Sequence, residues 1–580
     1  MPSAVFESFH RNIPGWSAYF PEPLVVYQAN ELPEVIPVLR EAEKASEKSL
    51  WAVVLLSYEA SQVFDPALQT NAPAGLPLAW VAIFDKIERP PLTLNQQATH
   101  SPHMDWKPLI TAETYTSAIS KIQNHIASGD TYQVNYTFPL HSTFQGDSWA
   151  WYRQLGTNQG AAYSAFIDMG AYQVLSFSPE LFFEKQGTTL STRPMKGTLG
   201  RGRWFQEDEF QALKLSSSPK NRAENIMIVD LLRNDLGRIS IPGTVQVPSL
   251  CQVERYPTLL QMTSTVEASV PESLSLLQIL ESLFPCGSVT GAPKIRTMQI
   301  IREIEPYPRS IYTGTIGIVF PGGDCVFNVA IRTIWLEKST SEVRMGVGGG
   351  ITIDSQPEEE YAECLLKSRF LNRRWPEFQL LETLRLESGS YFLLSRHLFR
   401  MRESAIYFGY DWDETRIWDE LEHVKRGHPE GYWRIRLLAE SNGTIRLEVF
   451  PLPASPPFPL VVALAPQPVD IHDPFLYNKT THREIYETQL AARPDCDDLI
   501  FWNEREEVTE SSIANIVVEI DGVKWTPPRS SGLLAGTFRN ELIEQGILQE
   551  RVLSKAELKQ SGNLYLINSV RKWIPVRLKI

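Results

Sequence analysis

Residues 348–363 read GGGITIDSQPEEEYAE and follow a strand-like run, VRMGV, at 343–347. Three consecutive glycines can bring backbone N–H groups up to an anion with no side chain in the way. Glu360 and Glu363 stand three apart, a spacing that puts both on one face of a helix, where two carboxylates could meet one hard cation. Upstream, NRAENIMIVD (221–230) sets Glu224 at the polar edge of an apolar helix. Three carboxylates and an anion-ready glycine loop point to magnesium bridging to a carboxylated substrate. From spacing alone a solvated helix face and a plain turn is the stronger reading, because acidic helix starts are common.

Around this stretch lie 580 residues, which at roughly 150 per domain suggest about three to four domains. Hydrophobic residues make up 43% and charged residues 21%, the balance of a soluble globular chain. A net charge of −13 argues against a surface built to neutralise nucleic-acid phosphates, although a local basic groove stays open. The five cysteines are odd in number and include no CxxC pair, which speaks against a disulfide framework or a thiolate zinc site. The N-terminus lacks an apolar signal-like run. The longest apolar runs, WAVVLL (51–56) and AWVAIF (79–84), fall far below the ~18 residues that span a bilayer. A soluble, cytoplasmic protein with no nucleic-acid or membrane partner is expected. No repeat is visible. A β-rich stretch over 1–105 precedes a mixed region over 106–373, and RRWPEF (373–378) opens a third region, 374–580. In that region FPLPASPPFPL (450–460) carries five prolines, so it reads as a stiff linker between two lobes. The fold class is α+β.

ASGDTYQVNYT (127–137), SPELFF (178–183), TRPMKGT (192–198), AENIMIVDLLRNDLGR (223–238), FPCGSVTGAPKIRTMQII (284–301), IYTGTIGI (311–318), FNVAIRT (327–333) and the 348–363 stretch occur in one order. In that order and spacing the region resembles the chorismate-utilising enzymes, which include anthranilate synthase component I, aminodeoxychorismate synthase component I and the isochorismate and salicylate synthases. The resemblance covers about 260 residues and implies a chorismate-binding α/β sandwich with chorismate as substrate. It implies that Glu224 and Glu363, with Glu360 nearby, hold Mg²⁺. It also implies that Tyr312, Arg332, Gly348, Gly349 and Gly350 receive a substrate carboxylate, and that Ser288 lines the same pocket.

Lys196 separates the members of that family. Anthranilate synthases carry alanine there, whereas aminodeoxychorismate synthases carry lysine. The chemistry agrees: replacing the ring 4-hydroxyl by an amine with retention is easier as two allylic displacements. A lysine amine adds at ring carbon 2 as the hydroxyl leaves, and ammonia then enters at carbon 4 and expels it. Such a lysine must be partly neutral, and the departing hydroxyl needs a general acid, which the resemblance places at Glu180. Gln133 occupies the position of the water-activating lysine of isochorismate and salicylate synthases, which argues against those activities. Gln261 replaces a histidine of many relatives that contacts the ring hydroxyl. An amide there donates a hydrogen bond but relays no proton near neutrality. No cysteine sits in a glutaminase-like context, so ammonia is expected from solution or from a separate glutamine amidotransferase subunit.

FQLLETLRL (378–386), LLSRHLFRMRESA (393–405), YNKTTHREIYE (477–487), FWNEREEVTESSIANIVVE (501–519), TPPRSSGLLAGTFR (526–539) and LYLINSVRKW (564–573) together resemble the fold-type IV pyridoxal-phosphate enzymes. These include aminodeoxychorismate lyase and the branched-chain and D-amino acid transaminases. The resemblance implies a two-lobed domain with pyridoxal 5′-phosphate joined to Lys479. Glu510 would face the pyridine nitrogen, with Arg400, Gly536 and Thr537 at the phosphate, Asn515 in support, and Asn568, Ser569 and Arg571 toward substrate carboxylate. Phe538 departs from the commoner phosphate turn, which has threonine there. The fold allows a homodimer through this domain. The two halves together imply synthesis of 4-amino-4-deoxychorismate followed by elimination of pyruvate, giving 4-aminobenzoate for folate synthesis. The rivals are an anthranilate synthase fused to a transaminase-like domain, and an idle C-terminal docking module.

Overall fold

The computed structural model describes residues 3–10, 15–88, 104–372, 376–453, 459–560 and 563–579. Part of the polar stretch before residue 105, the residues 373–375 of RRWPEF and residues 454–458 of the proline-rich stretch lie outside the described residues. The chain divides into two compact units. One comprises Met1–Arg201 and Gln211–Trp375, the other Gly202–Phe210 and Pro376–Ile580.

The first unit is built on a nine-stranded and a ten-stranded sheet. The run WAVVLL shows why they stack. Within the strand Trp51–Leu56, Val53 and Leu55 join a core shared with Phe6, Ile167 and Val174 of the other sheet. Ala52, Val54 and Leu56 point the opposite way, into a core with the helices Leu32–Glu47, Pro219–Gly237 and Leu276–Leu283. A strand buried on both faces reads as a continuous apolar run rather than an alternating one. The outer face of the nine-stranded sheet is covered by Ala112–Ala127, Ser148–Gln159, Lys294–Ile304 and Pro357–Leu366. Helix, sheet, sheet and helix thus form four layers. Ser3–Glu7 pairs with Tyr163–Asp168 and Trp51–Leu56 with Thr315–Val319, so the opening residues complete both sheets.

The triple glycine forms no loop, contrary to the sequence expectation. Gly348–Gly350 lies inside the strand Glu342–Ile351, paired with Thr137, Tyr136 and Asn135. The second neighbour, Thr333–Glu337, reaches only as far as Met345. Beyond it, the glycine portion has one open edge among the described residues.

The second unit holds a four-stranded antiparallel sheet, backed by the helices Leu394–Phe408 and Glu414–Gly427, and an eight-stranded mixed sheet. The proline-rich stretch connects the last strand of the first sheet, Ile445–Pro451, to the first of the second, Leu460–Leu464. Lys479 follows the turn Pro474–Leu476; its carbonyl accepts from Leu381 N–H (3.0 Å), and Thr480 bridges to Leu380. The lysine therefore sits where the two sheets meet.

Candidate active sites

In the first unit Glu180, Lys196, Glu224, Gln261, Ser288 and Tyr312 line one cavity of about 150 Å³. Arg332, Gly348, Gly349, Gly350, Glu360 and Glu363 line it too, so every residue expected at this site is gathered there. Close approach of backbone requires the glycine at 348, and the site's own side chains fill the space a Cβ would take at 350. A Cβ on Gly350 would stand 1.8 Å from Gln133 Nε2 and 3.1 Å from Lys196 Nζ, and one on Gly348 would stand 2.5 Å from the Tyr136 carbonyl.

Lys196 lies on the strand Met195–Gly200, and its Nζ makes no hydrogen bond among the described residues. Burial lowers its pKa below that of an ordinary lysine, while Glu224, Glu180 and Glu363 partly offset this. Glu180 is 2% exposed; burial pushes its pKa up to about 7, against the opposing pull of a 2.6 Å hydrogen bond from Ser288 Oγ and of Lys196. A carboxyl at that value can be protonated near neutrality and give its proton up. Arg332 is 7% exposed and adopts φ +50°, an uncommon backbone for a non-glycine residue, and its Nη1 has no hydrogen-bond partner among the described residues. Burial lowers its pKa to about 10. A buried cationic group with an open donor is a ready anion receptor. Gln261 Nε2 donates to the Gly197 carbonyl (3.1 Å) and its Oε1 accepts from Thr198 Oγ1 (3.2 Å), so the amide holds the irregular part of the strand just after Lys196.

The acid trio is less simple than its spacing suggested. Glu363 pairs with Lys367 (2.9 Å), which lowers its pKa, and Glu360 accepts from Ser355 Oγ (2.7 Å). Glu224 makes no hydrogen bond among the described residues; burial raises its pKa, Lys196 and Lys220 oppose this, and Glu360 and Glu363 add to it. Among the described residues no three acid, histidine or cysteine side chains are gathered closely enough to cage a metal. Mg²⁺ commonly takes one or two carboxylates and completes its shell with water and substrate oxygens. The residues fit such a partial site and not a closed trio.

In the second unit Arg400, Lys479, Glu510, Asn515, Gly536, Thr537, Asn568, Ser569 and Arg571 line a cavity of about 950 Å³. Burial, with Arg400 next, lowers the Lys479 pKa to about 8, so its amine is largely neutral in mildly alkaline solution. Glu510 is pushed up to about 7 by burial; it accepts from Tyr486 Oη (2.9 Å), Leu534 N–H (3.2 Å) and Asn515 Nδ2 (3.3 Å). Gly536 caps the helix Thr537–Glu544, and a Cβ there would stand 2.1 Å from Asn515 Oδ1. A lysine of lowered pKa, a buried acid and a glycine-opened helix start beside Arg400 fit pyridoxal phosphate. Asn568 Oδ1 is already engaged by the N–H groups of Val570 and Arg571, and the Arg571 guanidinium donates to the Pro453 carbonyl (3.0 Å).

Residues 17–373 match the family described as "chorismate binding enzyme". The chain belongs to that family. Residues 379–578 of this chorismate binding enzyme match a second family, "Amino-transferase class IV". It is 43% identical over 263 residues to the "Aminodeoxychorismate synthase component 1" of Escherichia coli (strain K12), covering 45% of this chain and 58% of that protein. It is 37% identical over 280 residues to the "Anthranilate synthase component 1" of Streptomyces coelicolor, covering 48% of this chain and 54% of that protein. The chain thus spans little more than half the length of these relatives. Among solved structures, anthranilate synthase component I from Streptococcus pneumoniae TIGR4 shares the fold with a TM-score of 0.54 at 23% identity. That match covers 64% of this chain and 92% of the other.

Sequence reasoning about this chorismate binding enzyme missed Lys367 and Glu382. Lys367 is half-buried and donates to the Gly348 carbonyl (2.9 Å) as well as to Glu363; its position four residues after Glu363 was the available signal. Burial raises the Glu382 pKa, but Arg400 and His397 overcome this and hold it at about 2. His397 Nδ1 lies 2.6 Å from Glu382 Oε2, and His397 Nε2 lies 3.1 Å from Thr537 Oγ1. Glu382 thereby fixes both Arg400 and Thr537. No helix among the described residues is long and apolar enough to cross a membrane.

Proposed function

We propose that the first unit converts chorismate and ammonia to 4-amino-4-deoxychorismate, and that the second eliminates pyruvate from that product to leave 4-aminobenzoate, a folate precursor. The observation that carries the reading is Lys196. It is a half-buried amine with no hydrogen bond among the described residues, lining one cavity with the protonatable Glu180 and the open Arg332.

Arg332 and the open edge of the glycine strand receive a substrate carboxylate. Glu224 and a second carboxylate of the cavity would hold Mg²⁺, which would supply positive charge to substrate oxygens. The Lys196 amine attacks ring carbon 2, both conjugated ring double bonds shift around the far side of the ring, and the hydroxyl leaves carbon 4 with a proton from Glu180 as water. Ammonia then adds at carbon 4, both double bonds return, the Lys196 amine is released, and the new ammonium gives a proton back to Glu180. In the second unit Lys479 would hold pyridoxal phosphate, Glu510 would face its ring nitrogen, and Arg400, Gly536 and Thr537 its phosphate. When bound, that cofactor supplies an electron sink for bonds at the amine-bearing carbon. Lys479 would take the proton from carbon 4 as the carbon 3–oxygen bond breaks, leaving an aromatic ring, and the departing enolpyruvate takes up a proton to leave as pyruvate. A separate glutamine amidotransferase supplies ammonia in this reading.

The test is incubation of the purified chain with chorismate, ammonium, magnesium and pyridoxal phosphate, with the products separated by chromatography. 4-Aminobenzoate and pyruvate in equal amounts support the reading. Accumulated aminodeoxychorismate limits it to the first unit.

A further inference from the structure

The second unit includes nine residues, Gly202–Phe210, that are remote in sequence from the rest of it. They follow directly on the strand that carries Lys196. Within the second unit this segment forms a structured clasp on the turn that leads to Lys479. The Trp204 ring packs on Tyr477 at 5.0 Å between centroids and joins a core containing Leu476, Tyr477 and Tyr486. Two guanidinium groups flank the indole, Arg203 at 4.7 Å and Arg529 at 4.8 Å from its ring. Arg203 Nη1 donates to Tyr477 Oη (3.3 Å), and Arg529 Nη2 donates to the Tyr477 carbonyl (3.3 Å). The clasp is itself braced. Arg203 pairs with Glu207, Tyr407 Oη donates to the Gly202 carbonyl (2.8 Å), and Gln206 donates to Glu403. Gly202 has no room for a side chain, because a Cβ would stand 2.1 Å from the Asp208 nitrogen.

The residues Tyr477, Asn478 and Lys479 are each held by a different partner. Leu381 N–H holds the Lys479 carbonyl, Ser404 Oγ donates to Asn478 Oδ1 (2.8 Å), and the clasp holds Tyr477. Fixing neighbours on both faces of a short turn sets where the lysine side chain emerges, and reactive groups lose rate steeply when displaced by about 1 Å. We infer that Arg203 and Trp204 are positioning residues for Lys479, acting through Tyr477, so that a segment outside the aminotransferase-like region completes its site. The inference rests on the reading of Lys479 given above.

The test uses the full chain and compares the parent with Trp204→Ala and Trp204→Phe. In the cofactor-free protein, Lys479 is acylated over a range of pH and the labelled peptide is quantified by mass spectrometry. The parent should show a midpoint near the depressed value of about 8. Trp204→Ala should move it upward, toward an ordinary lysine, as water reaches the turn, and Trp204→Phe should restore it. With cofactor and supplied aminodeoxychorismate, Trp204→Ala should lower the kcat for pyruvate release by about tenfold or more with KM little changed. Arg203→Gln, which keeps the indole, serves the same comparison should Trp204→Ala fail to fold. A parent midpoint and parent kcat in Trp204→Ala, or in Arg203→Gln should Trp204→Ala not fold, overturn the inference. A parent chain that releases no pyruvate overturns the lyase reading, while the labelling midpoints still decide the clasp.

Discussion

Ser288 Oγ donates a 2.6 Å hydrogen bond to Glu180 Oε1 inside the first cavity. That bond favours the carboxylate, while burial favours the neutral acid, and the balance stands at about 7. Glu180 is raised above its ordinary value, so the protonated, proton-giving form persists up to about pH 7 and is lost above it. The kcat for chorismate consumption should therefore fall as pH rises through about 7. Ser288→Ala removes the contact that lowers the pKa, so the falling limb should move to higher pH. Glu180→Gln should remove the limb and cost about 10² or more in kcat. A limb unmoved in Ser288→Ala would assign it to another group.

Lys196→Ala takes away the amine that opens ring carbon 4, while Arg332 and the glycine strand remain. Aminodeoxychorismate formation should fall by about 10³ with the melting temperature unchanged. Ammonia attack at carbon 2 should then give traces of an anthranilate-type product. Undiminished 4-aminobenzoate would end the nucleophile role.

Glu224→Gln should raise the magnesium concentration for half-maximal activity, because hard Mg²⁺ depends on anionic oxygens. Glu363→Gln should do so too, and it also frees Lys367 from its pair. Parent-like magnesium titrations in both variants would return these acids to the status of a charged wall.

Lys479→Ala should abolish the absorbance of the lysine-bound cofactor and its bleaching by borohydride, leaving synthesis of aminodeoxychorismate intact. Pyruvate release at the parent rate would exclude the second unit as the lyase.

Glu382→Gln leaves Arg400 buried without its charge partner and should destabilise the second unit by about 3–5 kcal/mol. The Glu382 pKa is depressed when folded, so its contribution is complete above the unfolded value of 4.5 and is lost as pH falls toward about 2. Denaturant titrations of parent and variant should therefore diverge at neutral pH and converge in acid.

The cavity residues of both units were legible because each lies in a contiguous block whose order carries information: Lys196 in TRPMKGT, Glu510 in VTESSIAN. The glycines were misread as a loop because a strand with one open edge and a turn share the same local sequence. Their pairing with Thr137, Tyr136 and Asn135 makes them strand. Glu382, His397 and Thr537 meet only through packing of a strand, a helix and a distant turn, so no spacing announces them. Trp204 was hidden for a stronger reason: it serves a unit whose main sequence begins far downstream.

The central claim is that nitrogen enters at ring carbon 4 through Lys196. It is tested most directly by supplying ¹⁵N-ammonium with chorismate, magnesium and pyridoxal phosphate to the purified chain and locating the label in the aromatic product by NMR. Label in the amine of 4-aminobenzoate, with one pyruvate released, is the predicted result. Label in the amine of anthranilate, ortho to the carboxylate, would contradict the account.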